Sequence, residues 1–300
     1  MVKVLRHTAL VLAAIGTLGV GTGHDHELCE GFVPENDMRI PVGYQHRMSF
    51  PTDVRGGLTE EDFNAVIDRF EAIYTEEFTK LGGKLNVNRR WTDPTVNASA
   101  NRYGNTWNIN MYGGLARHPA ITQDGFMLVI CHEAGHHIGG APKNSGWFAS
   151  WATNEGGSDY FASLKCLRRI FENEDNEAAL AGVEIDPLVQ ERCESQFGNR
   201  NDQLICMRSS LAGMSVALLF MDLRKETTAP GFGTPDPNQV SQTYNMHPGT
   251  QCRLDTYFAG AICPVHYSIP QSDTDPLQGT CNEPVDPVGF RPRCWYKPAL

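Results

Sequence analysis

Basic residues are in short supply in this chain. Its 300 residues include 25 lysines and arginines against 35 acids, a formal net charge of −10. That balance excludes nucleic acid and anionic membrane surfaces as partners, because neither tolerates an acidic face. Long apolar runs are scarce too. Beyond residue 23 the longest apolar patch, 214–221, is far shorter than the roughly 20 residues of a membrane-crossing helix, so no span is expected. There are no internal repeats and no low-complexity tract. With 41% hydrophobic residues, the chain is long enough to bury a real core.

The start of the chain has its own composition. Lys3 and Arg6 precede an apolar, small-residue-rich stretch, and Gly21-Thr22-Gly23 leads into the polar His24-Asp25-His26. This is the pattern of a secretory signal peptide over 1–23, so the expected destination is the periplasm or the cell exterior. Nine cysteines fit that destination, where disulfides persist. Eight of them, Cys29, Cys166, Cys193, Cys206, Cys252, Cys263, Cys281 and Cys294, suffice for four bridges. Local pairing is expected for Cys193 with Cys206 and for Cys281 with Cys294. Cys131 is expected to be a buried free thiol.

Hydrophobic spacing gives the elements. Phe63, Val66, Ile67, Phe70, Tyr74 and Phe78 recur at helical intervals over 58–81, with Thr59 as N-cap and Gly82-Gly83 as terminator. Extended segments follow at 84–91, 95–100 and 106–112. Helices are expected at 122–138, 154–171, 188–197, 202–224 and 253–263. Residues 225–250 read as a loop, and 264–300 as an irregular tail with seven prolines and two cysteines. The organisation is then a signal peptide (1–23), an irregular segment (24–57), a main domain (58–263) and a tail packed on it (264–300). The fold class is α+β: a small mixed sheet, one central helix and a mostly helical second half.

The chemistry concentrates in 127–140, where His132-Glu133-Ala134-Gly135-His136 forms H-E-x-x-H on a helix. Residues four apart share a helical face, so His132 and His136 can hold one metal ion, with Glu133 placed as a base for water. A catalytic zinc takes three protein ligands and keeps one open position. The best third ligand is Glu155. Asp159, four residues on, can accept the outer N–H of a ligand histidine and fix its tautomer. His137 points off that face, and Trp147 and Trp151 are read as packing residues.

H-E-x-x-H followed by Asn154-Glu155-Gly156-Gly157-Ser158-Asp159 resembles the gluzincins, the thermolysin-like zinc endopeptidases. Asn97-Ala98-Ser99-Ala100 is similar to their N-A-x-x edge segment. His247-Pro248 with Arg253 resembles the H-P-x-x-x-x-R motif of the prenyl-protein endopeptidases and HtpX-like proteases. Two features depart from the latter family: many of its members span the membrane repeatedly, and none of its pattern covers the cysteine-rich tail. The resemblance implies a zincin-like domain with one catalytic zinc on His132, His136 and Glu155. It implies Glu133 as the base for a zinc-bound water and Asp159 as orienter. Asn97, Ala98 and Ser99 would line the substrate cleft. His247 would stabilise the oxyanion, with Tyr244 as a second candidate, and Arg253 would brace a carboxylate, either Glu155 or Asp159. The expected activity is peptide-bond hydrolysis on a protein or peptide substrate by a monomer. The alternative from another class is a zinc-stabilised binding or structural protein without turnover.

Overall fold

The computed structural model describes residues 31–44, 57–144 and 151–298. The signal-peptide stretch, His24, His26, Cys29 and Trp147 lie outside the described residues. Helix α1 (Glu60–Lys80) begins with a capping box between Thr59 and Asp62 and buries Phe63, Val66, Ile67, Phe70, Tyr74 and Phe78 on one face. Strands β1 (Lys84–Arg90), β2 (Ala98–Tyr103) and β3 (Thr106–Tyr112) form a mixed sheet in the order β1-β3-β2. β1 lies parallel to β3 and β2 antiparallel to it, so β2 is an edge. One face of the sheet turns Val87, Ile109, Met111, Ala98 and Ala100 into the core, while Asn86, Asn88, Asn108, Asn110 and Asn101 form a hydrogen-bonded amide ladder on the other.

A short helix, α2 (Gly113–Ala116), leads to α3 (Gln123–Ile138), capped by the Thr122 hydroxyl. Every α3 residue from Gly125 to His137 is buried, because α1, β2 and the helices that follow in the chain pack around it. The helix expected at 154–171 is interrupted: α4 (Glu155–Phe161) widens into a π-helical turn (Ala162–Leu167) before α5 (Arg168–Phe171). The short α6 (Asn176–Ala179), α7 (Pro187–Gln196), α8 (Arg200–Leu223) and α9 (Thr250–Ile262) complete the helical half. The fold is α+β with a small mixed sheet and mostly helical content, as the sequence implies.

Three expectations are corrected. Cys131 is no free thiol; it is bonded to Cys166 and so ties α3, one residue before His132, to the π-helical turn. Its side chain does point away from the histidines, but that direction faces another cysteine, not apolar core alone. Cys193–Cys206 forms as expected, whereas Cys281 pairs with Cys263 and Cys294 with Cys252. The tail is therefore stapled back onto α9 at both ends, not closed on itself. Finally, α8 is long and apolar enough by length and composition to cross a membrane, which the short 214–221 patch does not suggest; most of that stretch is buried inside this fold as a core helix. The tail reaches the centre of the molecule: the Trp295 indole is fully buried, donates to Thr256 Oγ1 at 2.9 Å and covers Gly156 so closely that a Cβ there would meet the ring at 2.2 Å.

The Cys131–Cys166 bridge closes a 35-residue separation. Replacing both cysteines with alanine is expected to cost about 3–4 kcal/mol of stability by loop-closure entropy. Urea unfolding of the double variant measures this, and non-reducing peptide mapping should recover the cross-linked Cys131–Cys166 fragment.

Candidate metal centre

α3 and α4 lie so close that a Cβ on Gly135 would meet the Ser158 backbone at 2.9 Å. This contact explains a glycine inside H-E-x-x-H, and it brings Glu155 and Asp159 onto the histidine face. One nitrogen of each histidine is committed behind the site. His132 Nδ1 donates to Asp159 Oδ1 at 2.7 Å, and His136 Nδ1 to the Thr153 carbonyl at 2.8 Å. Those bonds orient both rings so that each Nε2 points forward, where it offers a lone pair once its imidazole is neutral. Glu155 meets them: its Oε2 is 3.3 Å from His132 Nε2 and its Oε1 is 3.5 Å from His136 Nε2. Neither approach has hydrogen-bond geometry, so both Nε2 atoms and Glu155 Oε2 remain buried without a hydrogen-bond partner. Buried polar atoms left in this way call for an ion or another guest. One ligand atom from each of the three residues fits within 4.8 Å of the others, a group able to hold a metal ion.

Asp159 is the support of this cluster. Besides His132 it accepts Arg253 Nε on Oδ2 at 2.8 Å, Arg253 Nη2 on Oδ1 at 2.7 Å and the Tyr257 hydroxyl on Oδ1 at 2.7 Å. Arg253 is fully buried and lies over the rings of Phe32 and Phe220. Of the two carboxylates named for it from the sequence, Arg253 engages Asp159; Glu155 is 4.0 Å away. His247 Nε2 sits 3.4 Å from Glu155 Oε2 and 2.7 Å from the Gly31 carbonyl. Tyr244 is held through its backbone, with its N–H on Trp295 and its carbonyl near Asn154 Nδ2. Asn97 directly precedes the edge strand, which Ala98 opens, with Ser99 on its outer face beside Asn110. His137 stacks between Trp107 and Trp151, away from the cluster. Sequence reasoning missed Tyr257, although it lies four residues after Arg253 on one helix face. It also missed the Thr153 carbonyl, a backbone group with no sequence signature, and Phe32, whose ring packs nearly perpendicular to that of His132 with centroids 4.8 Å apart.

Burial and charge work against each other here. Burial opposes charge on His132, but Asp159 and Glu155 overcome it and push the imidazole up to about 9. His136, with a carbonyl and the Ser158 hydroxyl behind it but no carboxylate, is carried by burial down to about 4. Burial would protonate Glu155, yet His247, His136 and His132 hold it well below the usual carboxylate range. Asp159 is likewise held down, chiefly by Arg253. Glu133 is 0% exposed with both oxygens unpartnered; burial first, and Glu155 next among the raising influences, lift its carboxyl to about 8. Without an ion, then, His132 and Glu133 each hold a proton near neutral pH. A divalent cation in the cluster would take the place of both.

No family model matches the chain, and no curated protein or solved structure matches it.

Two predictions follow from this geometry. Because bound metal competes with the protons on His132 and Glu133, uptake near pH 7 should release about two protons, and affinity should climb as pH rises toward 9. Zinc titrations in buffers of different ionisation enthalpy, repeated between pH 6 and 9, measure both. Asp159→Ala strips Arg253 of its buried carboxylate and should destabilise the fold by about 3–5 kcal/mol. The milder Asp159→Asn should lower zinc affinity by about 10–100-fold. Thermal melts and chelator competition read these two effects.

Proposed function

We propose that this chain is an exported zinc-dependent endopeptidase of gluzincin type, acting as a monomer on protein or peptide substrates. One observation carries the reading: three buried ligand groups converge beside a buried, unpartnered carboxylate, Glu133. Zinc fits the donor set, since two ligand atoms about 2.0–2.1 Å from one tetrahedral ion lie roughly 3.3 Å apart. Glu155 Oε2 lies 3.3 Å from His132 Nε2, and its Oε1 lies 3.5 Å from His136 Nε2. Two imidazoles and a carboxylate are also the donors of hydrolytic zinc sites. A bound zinc would supply Lewis acidity, polarising the scissile carbonyl and acidifying the attacking water.

The protein's own residues do the rest. His132, His136 and Glu155 hold the ion, and Asp159 keeps His132 turned toward it. Glu133 takes the proton from the attacking water and passes it to the leaving amine. His247 Nε2–H donates to the developing oxyanion. Arg253 keeps Asp159 ionised and in place. The edge segment from Asn97 to Ser99 offers backbone groups to an extended peptide. Four disulfides among the described residues are compatible with an oxidising destination.

The complete burial of Glu133 favours a second reading, a zinc-stabilised binding or structural protein with a closed site. The two readings part at turnover. Glu133→Gln should keep zinc and fold while losing about 10²–10⁴-fold in peptide hydrolysis, the usual contribution of a general base. Digestion of casein and of a peptide library, with zinc content assayed in parallel, makes the test. Zinc bound with no cleavage by the wild type, or equal cleavage by wild type and variant, would sink the peptidase reading.

A further inference from the structure

Residues 31–40 run antiparallel to 94–98, the segment that leads into edge strand β2. Phe32 N–H donates to the Ala98 carbonyl at 2.8 Å, Asn36 Nδ2 to the Val96 carbonyl at 3.1 Å, and Ile40 N–H to the Pro94 carbonyl at 2.8 Å. Arg39 and Thr95 form a bridge between the two runs. The Asn97 side chain closes the contact like a piece of backbone. Its Oδ1 accepts from Val33 N–H and its Nδ2 donates to the Val33 carbonyl, both at 3.1 Å. Gly31 is a glycine because that amide packs against it; a Cβ would stand 2.6 Å from Asn97 Nδ2.

Gly31 and Phe32 also reach the residues of the candidate centre. The Gly31 carbonyl accepts from His247 Nε2 at 2.7 Å, and the Phe32 carbonyl accepts from Arg253 Nη1 at 2.8 Å. The Phe32 ring is fully buried and packs nearly perpendicular to that of His132. One tripeptide therefore meets the edge strand, the residue assigned as oxyanion donor, and a ligand histidine. An extended peptide substrate would need the first two of these for itself: backbone pairing along β2, and a carbonyl oxygen within reach of His247. Glu133, which must meet the attacking water, is closed off from solvent in this arrangement.

We propose that Gly31–Val33 is a latency strap: a segment of the chain's own backbone seated in the peptide channel, which must be displaced before substrate enters. The proposal rests on the endopeptidase reading for its meaning but not for its test. In the strapped state the His247 donor is satisfied by the Gly31 carbonyl and the start of β2 is already paired. The strap holds through hydrogen bonds to Asn97, Ala98, His247 and Arg253. Releasing the Asn97 clamp should loosen it and leave the metal ligands untouched.

Asn97→Ala deletes two hydrogen bonds to Val33, enough to shift the balance of closed to open by roughly tenfold. Gly31→Ala attacks the same clamp from the other side, by pushing a methyl into the Asn97 amide. Two measurements on the full-length, zinc-loaded chain are needed. The rate at which 1,10-phenanthroline extracts zinc reads access to the site and does not depend on turnover. Hydrolysis of a quenched fluorescent peptide reads release of the channel. In variants with wild-type circular dichroism, extraction should accelerate about tenfold and hydrolysis should rise in parallel. Extraction unchanged or slower in both variants overturns the strap. Hydrolysis that falls while extraction is unchanged also overturns it, and makes Asn97 a substrate contact instead. If extraction accelerates but neither wild type nor variants cleave any peptide, the strap stands and the endopeptidase reading fails.

Discussion

The structure depends on what Asp159 holds. This buried carboxylate accepts from His132 on α3, from Arg253 twice and from Tyr257 on α9, while itself standing on α4. A lone carboxylate at 0% exposure would be prohibitively costly, so each donor is a condition of the fold as well as of the site. The arrangement converts a structural need into chemical orientation. The donor that His132 gives to Asp159 is the one it cannot give to anything in front, and so its other nitrogen is left for a metal ion. The charges also balance. Arg253 and a protonated His132 offset Asp159 and Glu155 when no cation is present. A divalent cation can take over from the protons on His132 and Glu133 without leaving the interior strongly charged.

Much of this centre was legible in the sequence, for a geometric reason. Helical spacing is rigid, so His132 with His136, and Glu155 with Asp159, announce shared faces from their numbers alone. The contact between those faces is signalled less directly, by Gly135. α1, α3, α7 and α8 also stand within a residue or two of expectation, whereas α9 begins three residues early and the helix expected at 154–171 is interrupted. What stayed hidden was whatever depends on distance in the fold. The partner of Cys131 lies in the buried π-helical turn that continues α4, and a cysteine in an apolar helix looks the same whether bonded or free. The tail cysteines pair with α9 because Trp295 is drawn into the core over Gly156, a preference that no local pattern records. The extended segment expected at 95–100 begins as a ladder strand only at Ala98. Before that point its hydrogen bonds go to residues 31–40, which show no periodicity of their own.

The two halves of the molecule divide the labour. The sheet and α1 form a wall whose inner side is apolar and whose outer side is a ladder of asparagines. The helical half supplies every charged group of the centre apart from those on α3. α3 lies between them, buried along its length. That burial lets two histidines and a glutamate occupy a 0% exposed environment where their protonation states respond to one another. The tail closes the back of this assembly through Trp295 and through the Tyr160 hydroxyl on the Gly289 carbonyl at 2.6 Å.

The distances along the chain between these partners matter in time as well as in space. Asp159 waits 94 residues for Arg253, and the Gly31 carbonyl waits 216 residues for His247. Non-local contacts of this kind form late, because the entropy of closing long loops is lost before the contacts form. H-E-x-x-H emerges less than halfway through synthesis, and Asp159, which fixes the tautomer of its first histidine, follows 27 residues later; that carboxylate lacks its Arg253 and Tyr257 donors until α9 has docked. A half-made chain therefore carries the motif without the support that keeps the centre assembled. The order in which the residues appear makes the complete centre a property of the finished fold.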